Sequence, residues 1–573
     1  MAITLTNDDF VLPLANVDYR SREQVERYEP FFEALSLDRY AFQREAMRRT
    51  LRFLLSPTYA DTSALASEHY AASSIMQGHF GSQSDYLASF ALADRKAVSL
   101  DLATGAGKSF VMYGIARAAL ALGLVDKVLV LCPSLTIEEG LNEKFRELSA
   151  RQDLKQLLES LDAVYPNPPI KTANDPILDG DICIENIHAS YERTGSSIAD
   201  SFKGKGARTL VLNDEAHHIY SGADVDTKKW LEFLRSPDYG FRTIVGVSGT
   251  PYIENDYFPD VIFRYGLKQA IDERVVKQPD YVNDRLVKGG TTYKQIIENH
   301  RRNRDKYGKV KPVSIIVTEK IVSCVEVHDE LVKQLVRHEG LKRAEAEKRV
   351  IWVASGIPSG ADGARVKQLV AEPEKARKNN MRLLRSVGRT DNPVEWIVSV
   401  SMLTEGWDVP NVFQVVPWET KAFNSKLLIA QVLGRGLRVP AGLEPPVLLT
   451  VENHEAWSIE LQGLFNEVLE VENRVSSEPT RPQFAFPIFN LRYIAEQVTE
   501  QTSQKRASEP EAVIYSPQAR QLTQETTYSR TGKRTSTLDV PDLMSLDDAV
   551  ARIRVFFDEK DEAIAAAWPN VRI

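Results

Sequence analysis

The stretch LATGAGKSF (102–110) decides the fold of this chain, because it joins a strand end, a glycine loop and a helix start. Apolar residues lead into it at Val98 and Leu100, although Leu102 stands where the strict phosphate-loop pattern has its first glycine. Backbone N–H groups of such a loop converge on a phosphate, the helix N-terminus adds partial positive charge, and a lysine reaches the terminal phosphates. The residues predicted to hold a nucleotide are Thr104, Gly105, Ala106, Gly107, Lys108 and Ser109, the last of these also as a Mg²⁺ ligand.

A second stretch, LVLNDEAHHIY (210–220), places two carboxylates after an apolar run of strand length. Phosphoryl transfer depends on positioning and on charge neutralisation, so we expect Asp214 to hold Mg²⁺ and Glu215 to orient the attacking water. The alternative interpretation is an acidic pair at an ordinary helix start. The glycine loop about a hundred residues earlier favours the catalytic interpretation.

Strand and helix patterns alternate in two blocks, on either side of a segment (251–281) with prolines and aromatic residues at its entry. Strands that alternate with helices form parallel sheets covered on both faces, so the chain is predicted to be an α/β protein with two sheets in tandem. A long charged helix is predicted at 325–348. The predicted strands are 128–132, 181–185, 209–212 and 243–247 in the first block, and 313–317, 350–354, 396–401 and 413–418 in the second.

This alternation divides the chain into four parts. Residues 1–97 form an N-terminal segment, in which the stretch 56–94, rich in Ala, Ser, Tyr and Gly, is interpreted as an insertion. Residues 98–280 carry the first sheet and residues 281–440 the second. Residues 441–573 are an accessory or partner-docking region with weaker patterns, including a polar segment and a final helix pattern.

Composition excludes several classes of protein. The 573 residues are 43% hydrophobic and 26% charged, which is typical of globular domains. The sequence has no apolar run of about eighteen residues and no secretory leader pattern, so we expect a soluble, cytoplasmic protein without a membrane partner. Three cysteines, Cys132, Cys183 and Cys324, lie in apolar strand-like runs without metal-ligand spacing and are predicted to be reduced core residues.

The net charge of −8 argues against a protein that coats nucleic acid by charge alone, so any nucleic-acid site must be local. Two stretches with six basic residues each are candidates, 300–311 and 375–389. A solvated basic helix face is an equally good interpretation of either stretch.

The order of the motifs resembles that of superfamily 2 helicases and translocases of the DEAH type. The sequences of these motifs are similar to those in the ATPase portion of type III restriction enzyme Res subunits and related phage-defence helicases, over residues 38–440. The resemblance implies two tandem RecA-like domains with a C-terminal accessory region, and ATP with Mg²⁺ as cofactors. Besides the glycine loop, it implies ATP contacts at Gln43, Gly406, Asp408 and Gln431.

The resemblance also assigns roles to residues outside the phosphate loop. An amide such as Gln43 can donate to and accept from the adenine edge at once. Ser248 and Thr250 are implied to couple hydrolysis to nucleic-acid binding through His217, and Arg435 and Arg438, at i and i+3 of QVLGRGLR (431–438), to act as arginine fingers. Nucleic-acid contacts are implied at Pro133, Ser134, Thr136 and Asn186, for which helix-capping turn residues are the alternative.

The function implied is an ATP-dependent DNA helicase or translocase, the motor of a restriction or phage-defence system, acting on duplex or single-stranded DNA. The alternatives are a nucleic-acid-sensing ATPase switch that clamps and signals without processive movement, and an RNA helicase. Res subunits carry a nuclease, whereas the best match here, at Asp542, Asp558 and Lys560, falls in a helical pattern. Cleavage is therefore expected from a nuclease or other defence-system partner, unless the chain ends early.

Overall fold

The computed structural model describes residues 6–36, 40–190, 197–220, 225–253, 256–282, 293–354, 356–389, 391–400, 409, 411–418, 436–440 and 442–452, all within one compact unit, Met1–Val475. Three short 3₁₀ helices lie at Asn7–Phe10, Ile187–Ser190 and Gly206–Arg208. The α-helices before the second sheet are α1 (Tyr19–Glu26), α2 (Glu29–Leu35), α3 (Ala41–Leu55), α4 (Thr62–Ala72), α5 (Ser74–Phe80), α6 (Gln83–Ala88), α7 (Lys108–Ala121), α8 (Leu135–Ser149), α9 (Gln152–Ser160), α10 (Ile198–Phe202), α11 (His217–Tyr220), α12 (Val225–Arg235) and α13 (Leu267–Asp272). Those that follow are α14 (Tyr293–Lys306), α15 (Ile321–Glu339), α16 (Arg343–Arg349), α17 (Gly360–Leu369) and α18 (Pro373–Arg385).

The first sheet has seven described strands in the order β3-β4-β2-β5-β6-β1-β9, all paired in parallel. Its central strands are buried along almost their whole length because helices cover both faces, and one hydrophobic cluster fills each side. A short antiparallel hairpin, β7 with β8, precedes the last strand. The strands are β1 (Lys96–Leu102), β2 (Lys127–Cys132), β3 (Ile170–Lys171), β4 (Ile182–Asn186), β5 (Thr209–Asp214), β6 (Thr243–Ser248), β7 (Tyr252–Ile253), β8 (Asp256–Tyr257) and β9 (Val261–Tyr265).

Strand register at the centre of this sheet positions the candidate site. In the pairing of β1 with β6, Asp101 lies opposite Ser248, and in that of β5 with β6, Asp214 lies opposite Val247. The carboxyl ends of β1, β5 and β6 therefore meet at one edge of the sheet. The three motifs that follow these strands are brought together there, although they are far apart in the sequence.

The second sheet has six described strands in the order β10-β15-β14-β11-β13-β12, again all in parallel. We call the first sheet with its helices the first lobe (6–265), the second sheet with its helices the second lobe (278–452), and residues 266–277 the linker. The strands of the second lobe are β10 (Gln278–Val282), β11 (Val313–Thr318), β12 (Val350–Val353), β13 (Trp396–Val400), β14 (Val412–Pro417) and β15 (Leu448–Glu452).

One apolar cluster runs through both lobes. It extends from α1 and α3 across one face of the first sheet, through Val276 in the linker, to Leu437 and the strands of the second sheet. Other clusters cover the opposite face of each sheet. The described part of each lobe therefore has a core of its own on one face of its sheet and shares a core with the other lobe on the opposite face.

The predicted α/β fold with two tandem parallel sheets is confirmed, and so are the predicted strands to within two residues at each end. The single helix predicted at 325–348 is wrong, because Gly340 adopts a left-handed conformation (φ +67°) and separates α15 from α16. Cys324 lies in α15 and not in a strand, whereas all three cysteines are free and buried as predicted.

The segments around the sheets differ more from the prediction. The insertion at 56–94 contains three short helices, α4 to α6, each begun by an Asp or Ser cap, Asp61, Ser73 and Ser82. The connecting segment contributes β9 to the first sheet and β10 to the second. The predicted boundary at 280/281 falls inside β10, and β15 lies beyond residue 440, so the four-part division stays a prediction.

In the part of the chain that the structure describes, no helix is both long enough and hydrophobic enough to cross a bilayer.

Candidate nucleotide-hydrolysis site

The glycine loop between β1 and α7 has the backbone conformation of an anion cradle. Gly105 (φ +88°) and Gly107 (φ +82°) are both left-handed, which only glycine adopts without strain. Gly107 is the N-cap of α7, so no side chain occupies the first N–H groups of that helix. A Cβ on Gly107 would lie 2.5 Å from Nε2 of Gln43, which shows how closely the loop is surrounded. These N–H groups are therefore available to a phosphate.

Lys108 and the two acidic residues after β5 form a charged cluster at the same edge of the sheet. The Lys108 ammonium donates to Glu215 Oε1 at 2.7 Å and lies 3.9 Å from Asp214 Oδ1. Burial raises the pKa of Asp214 to about 6, against the opposing charge of Lys108. Burial would also raise the pKa of Glu215, but Lys108 and His217 outweigh it and hold that pKa below its usual value. Glu215 is therefore the more strongly ionised carboxylate.

The backbone of Glu215 is itself unusual. Its φ of +50° lies in the left-handed region, which is strained for a residue with a side chain. Its N–H donates to Asp214 Oδ1 at 3.1 Å, which holds the two carboxylates in a fixed relation. The strained turn points Glu215 at Lys108 directly after the strand ends.

Gln43, near the start of α3, contacts the glycine loop. Its Nε2 donates to the carbonyl of Ala106 at 2.7 Å, and its Oε1 accepts from the Ser36 hydroxyl at 2.8 Å. The side chain is buried, in contrast to the exposed helix position that the sequence alone would suggest. An amide has two N–H donors and two acceptor lone pairs, so both ends keep capacity for a base edge. The adenine-reading role stays a prediction.

The structure brings together the residues of the predicted coupling element. His217 Nδ1 lies 3.3 Å from Ser248 Oγ and 3.2 Å from Thr250 Oγ1. The same nitrogen is 3.6 Å from Glu215 Oε2, so the hydroxyl pair and the carboxylate meet at one imidazole. The ring of His218 instead lies parallel to that of Trp230, with centroids 6.2 Å apart. The coupling role of His217 stays a prediction, now with a defined geometry.

Arg438 reaches this site from the second lobe. A Cβ placed on Gly105 would lie 3.2 Å from Cγ of Arg438 and 3.3 Å from Cγ1 of Val276. The guanidinium and the Asp214 and Glu215 carboxylates act on each other electrostatically, each favouring the charged form of the other. The structure therefore puts one predicted arginine finger beside the glycine loop. Gly406, Asp408, Gln431 and Arg435 lie outside the described residues.

The predicted nucleic-acid contacts of the first lobe take up helix-capping and buried positions. Ser134 is the N-cap of α8 and accepts from the N–H of Ile137. Asn186 is buried, and its amide donates to Glu138 Oε2 at 2.7 Å and to Glu185 Oε1 at 3.2 Å. Pro133 follows β2 directly, and the side chain of Thr136 is not among those described. In this arrangement the capping interpretation accounts for the contacts of Ser134.

The two basic stretches differ in their electrostatic surroundings. In 300–311, Arg301 and Arg304 face Glu339, and Arg304 also faces Glu395, so the stretch is part of an ion-pair network inside the second lobe. In 375–389, four exposed basic residues follow each other along one side of α18 at i, i+3, i+7 and i+10. They are Lys375, Lys378, Arg382 and Arg385.

This row on α18, which we call the basic stripe, is only partly neutralised. Lys375 pairs with Glu372 at 2.8 Å, and Arg382 donates to Asn379 at 2.8 Å. Within the described residues, Lys378 and Arg385 have no ion pair. The basic stripe is therefore the more open of the two candidate surfaces for a polyanion.

Sequence reasoning missed two groups of charged residues around the site. Asp101, at the end of β1, accepts from Tyr257 at 2.8 Å and pairs with Arg264 at 3.2 Å, which fixes the strand that leads into the glycine loop. Lys277, in the linker, is fully buried and donates to two main-chain carbonyls. Charged residues inside apolar runs were the available signal for both groups, but their partners are too distant in sequence to be read from it.

The residues present fit a nucleotide with its metal ion. The glycine loop offers N–H groups to phosphates. Lys108 adds a cation, which pairs with carboxylates here and can pair with phosphate oxygens when a nucleotide binds. Mg²⁺ at such sites takes one or two protein oxygens and fills its remaining positions with phosphate oxygens and water. Ser109, the second residue of α7, and Asp214, the last of β5, are the oxygen donors that would hold it.

The sequence matches one family model. The family model of the type III restriction enzyme, res subunit, matches residues 37–253. No curated protein matches the sequence. Among solved structures, the ATP-dependent type ISP restriction-modification enzyme LlaBIII bound to DNA is 14% identical with a TM-score of 0.37, and the match covers 72% of this chain and 29% of that one.

Two helicases give similar values. Dbp5 of S. cerevisiae bound to RNA and ADP BeF3 is 11% identical with a TM-score of 0.38, over 76% of this chain and 93% of that one. The helicase Lhr of Mycobacterium smegmatis bound to ssDNA and AMP-PNP is 15% identical with a TM-score of 0.36, over 72% of this chain and 47% of that one. The chain thus spans 29% of the length of the type ISP enzyme. The family match confirms the recognition made from the motifs, that the chain resembles superfamily 2 helicases and, among them, type III restriction enzyme Res subunits.

Proposed function

We propose that this chain hydrolyses ATP between its two lobes and uses the cycle to move along DNA, as the motor of a restriction or phage-defence system. The observation that carries the proposal is the meeting of Lys108, the Asp214–Glu215 pair and Arg438 around one glycine loop. Three of these charged groups come from the first lobe and one from the second. Hydrolysis in such a site is sensitive to the relative position of the lobes, which is what a motor requires.

Each residue of the first lobe has a separate task in this proposal. The N–H groups of 104–109 and the Lys108 ammonium hold the phosphates, and Ser109 with Asp214 holds Mg²⁺. When bound, the metal ion neutralises charge on the phosphate oxygens. Glu215 orients the attacking water. Lys108 exchanges its carboxylate partners for phosphate, which releases Glu215 to the water.

The second lobe supplies positive charge from across the cleft. Arg438, and Arg435 by the resemblance, would stabilise the charge that builds on the transferred phosphoryl group, an effect worth about 10³ to 10⁵ in rate in comparable enzymes. Gly406, Asp408 and Gln431 would complete the ATP contacts from the same lobe. His217, which lies close to Glu215, Ser248 and Thr250, would couple hydrolysis to nucleic-acid binding.

Contacts to the nucleic acid are expected to involve its backbone more than its bases. The basic stripe on α18 is exposed and extends over about 15 Å, the length of four or five phosphates at about 3.4 Å per residue of one strand. A polyanion neutralises this stripe without base readout. DNA is favoured over RNA because the sequence of MLTEGWDVPN (402–411) resembles that of type III enzymes, although this resemblance is weak evidence against an RNA helicase. A nuclease or another defence-system protein is the proposed partner, in the cytoplasm.

The test is ATP turnover in the presence of duplex DNA, single-stranded DNA or RNA, for the parent protein and for Lys108→Ala. We expect duplex or single-stranded DNA to raise turnover at least tenfold over the protein alone. Lys108→Ala should abolish turnover with every polymer because the phosphates lose their cation. Equal turnover with and without nucleic acid, or full activity of Lys108→Ala, would contradict the proposal.

A further inference from the structure

Lys277 lies where the linker enters the second lobe, between two segments of main chain that it holds together. Its side chain is fully buried. The amine donates to the carbonyl of Val412, at the start of β14, at 2.5 Å, and to the carbonyl of Gly436 at 3.0 Å. The nitrogen also lies 4.3 Å from the centroid of the Phe413 ring. The segment held against β14 in this way is the one that ends in Arg438.

The main chain of the linker reinforces the same contact. The N–H of Lys277 donates to the carbonyl of Leu437 at 2.7 Å, next to Arg438. The preceding residue, Val276, is directed at Gly105 of the glycine loop, where an added Cβ would lie 3.3 Å from its Cγ1. Residues 276 and 277 thus contact the glycine loop on one side and the arginine segment on the other.

A buried lysine is costly, because its amine leaves water for an apolar site. Burial lowers the pKa of Lys277 well below its usual value, and both the ammonium and the neutral amine carry the two N–H donors that these carbonyls need. A methionine of similar length would fill the space without that cost. Retention of the amine therefore points to the two carbonyl contacts themselves.

We propose that Lys277 is a positioning residue that fixes the backbone of 436–438 and so holds the Arg438 guanidinium against the glycine loop. This inference rests on the proposed role of Arg438. Removal of the amine leaves the Gly436 and Val412 carbonyls without their donor, and the arginine segment is then free to shift. A displacement of about 1 Å at a catalytic group costs about 10²-fold in rate.

The first part of the test compares Lys277→Met with Lys127→Met. Lys127 is the control, since it is also buried and donates to two main-chain carbonyls, those of Ile177 and Ser201, besides an ion pair with Asp179 at 3.5 Å. It lies at the amino-terminal end of β2, whereas the glycine loop follows the carboxyl end of β1. We expect Lys277→Met to lower kcat for ATP about 10- to 100-fold with KM within about threefold of the parent. Lys127→Met should keep the parent kcat in its folded fraction. Equal losses of kcat in the two variants would show that burial of any lysine matters, and would overturn the inference.

The second part places Lys277→Met in an Arg438→Ala background. If Lys277 acts through Arg438, the two changes are not additive, and the double variant turns over within about twofold of Arg438→Ala alone. A further loss of tenfold or more in the double variant would overturn the inference. If Arg438→Ala itself keeps the parent kcat, the proposed role of Arg438 has failed, which is a separate result.

Lys277→Gln keeps two N–H donors on a shorter, neutral side chain and serves if the methionine variant does not fold. Its kcat should lie between those of the parent and Arg438→Ala, and its thermal midpoint should be measured beside Lys127→Gln. A folded Lys277→Gln protein whose kcat falls at least tenfold below that of Arg438→Ala would overturn the inference, because such a loss could not act through Arg438.

Discussion

At the scale of single residues, the site depends on backbone conformations that only certain side chains tolerate. Gly107 combines a left-handed backbone with a close neighbour, since its missing Cβ would fall 2.5 Å from Gln43 Nε2. Glu215 tolerates a left-handed backbone one residue after β5. The glycines and the acidic pair could be identified from the sequence because their chemistry is local. Lys277 could not, because its partners lie 135 and 159 residues away.

Gly107→Ala is expected to weaken nucleotide binding strongly. The added methyl group strains the left-handed backbone by roughly 1–2 kcal/mol, as at any such position, and also displaces the Gln43 amide from the loop. We expect the Kd of a fluorescent ATP analogue to rise at least tenfold.

Gly340→Ala is the matched control for this change. Gly340 has a similar left-handed backbone (φ +67°), but an added Cβ there would meet nothing within 4 Å. The thermal stability of Gly340→Ala should fall as that of Gly107→Ala does, whereas its Kd for the ATP analogue should stay unchanged. Parent-like binding by Gly107→Ala would show that the loop accommodates a side chain and that the cradle interpretation is wrong.

At the scale of elements, the spacing of apolar residues was sufficient to locate strands but not to predict their order and register in the sheet. β1, β5 and β6 are buried on both faces, and their apolar residues predicted them as strands of a parallel sheet. β9 was missed because VIFRY (261–265) includes Arg264, which pairs with Asp101 and Asp8 in the folded chain. The register that aligns Asp101, Asp214 and Ser248 is a property of the sheet and of no single segment.

Charge reversal of the basic stripe should weaken nucleic-acid binding without altering the ATP site. In Lys378→Glu/Arg385→Glu, the two exposed residues that have no ion pair within the described residues become acidic. Each lost phosphate contact lowers the slope of log K against log salt by about one, so we expect a slope smaller by about two and an ATPase that needs more DNA for half-maximal stimulation.

Lys342→Glu/Lys348→Glu is the control for the stripe. It makes the same change in net charge at two exposed lysines of the same lobe, Lys342 directly before α16 and Lys348 in its last turn. Its salt slope should stay close to that of the parent protein. Identical slopes for the two double variants would assign the effect to overall charge and remove α18 from the binding surface.

At the scale of the whole molecule, the two lobes are separate α/β units that both contribute to the charged cluster around the glycine loop. Arg438 and Lys108 belong to different lobes, and the linker connects them through Val276 and Lys277. Tandem sheets could be predicted from the alternation of strands and helices, since that pattern has few stable solutions. The contact between the lobes could not, because it depends on a few linker residues without a repeating pattern.

ATP consumption per binding event should increase with the length of the DNA track if the lobes drive translocation. A switch that only clamps uses the same amount of ATP on a short and a long duplex. We expect turnover per bound protein to rise at least severalfold between linear duplexes of about 50 and 1,000 base pairs, with displacement of a triplex strand in one direction as the second measurement. Turnover independent of length, with no strand displaced, would favour the switch.

Val276 and Leu437 make the hydrophobic interiors of the two lobes continuous. Lobes that share an interior lose their stability together, because melting one strips apolar contacts from the other. Single-tryptophan variants that keep only Trp230, in α12 of the first lobe, or only Trp396, in β13 of the second lobe, should therefore report the same midpoint on heating. Two well-separated midpoints would mean that the apolar contact between the lobes is too weak to couple their unfolding. Two lobes joined in this way denature as a unit, so the apolar contact through Val276 and Leu437 sets the temperature at which the protein unfolds.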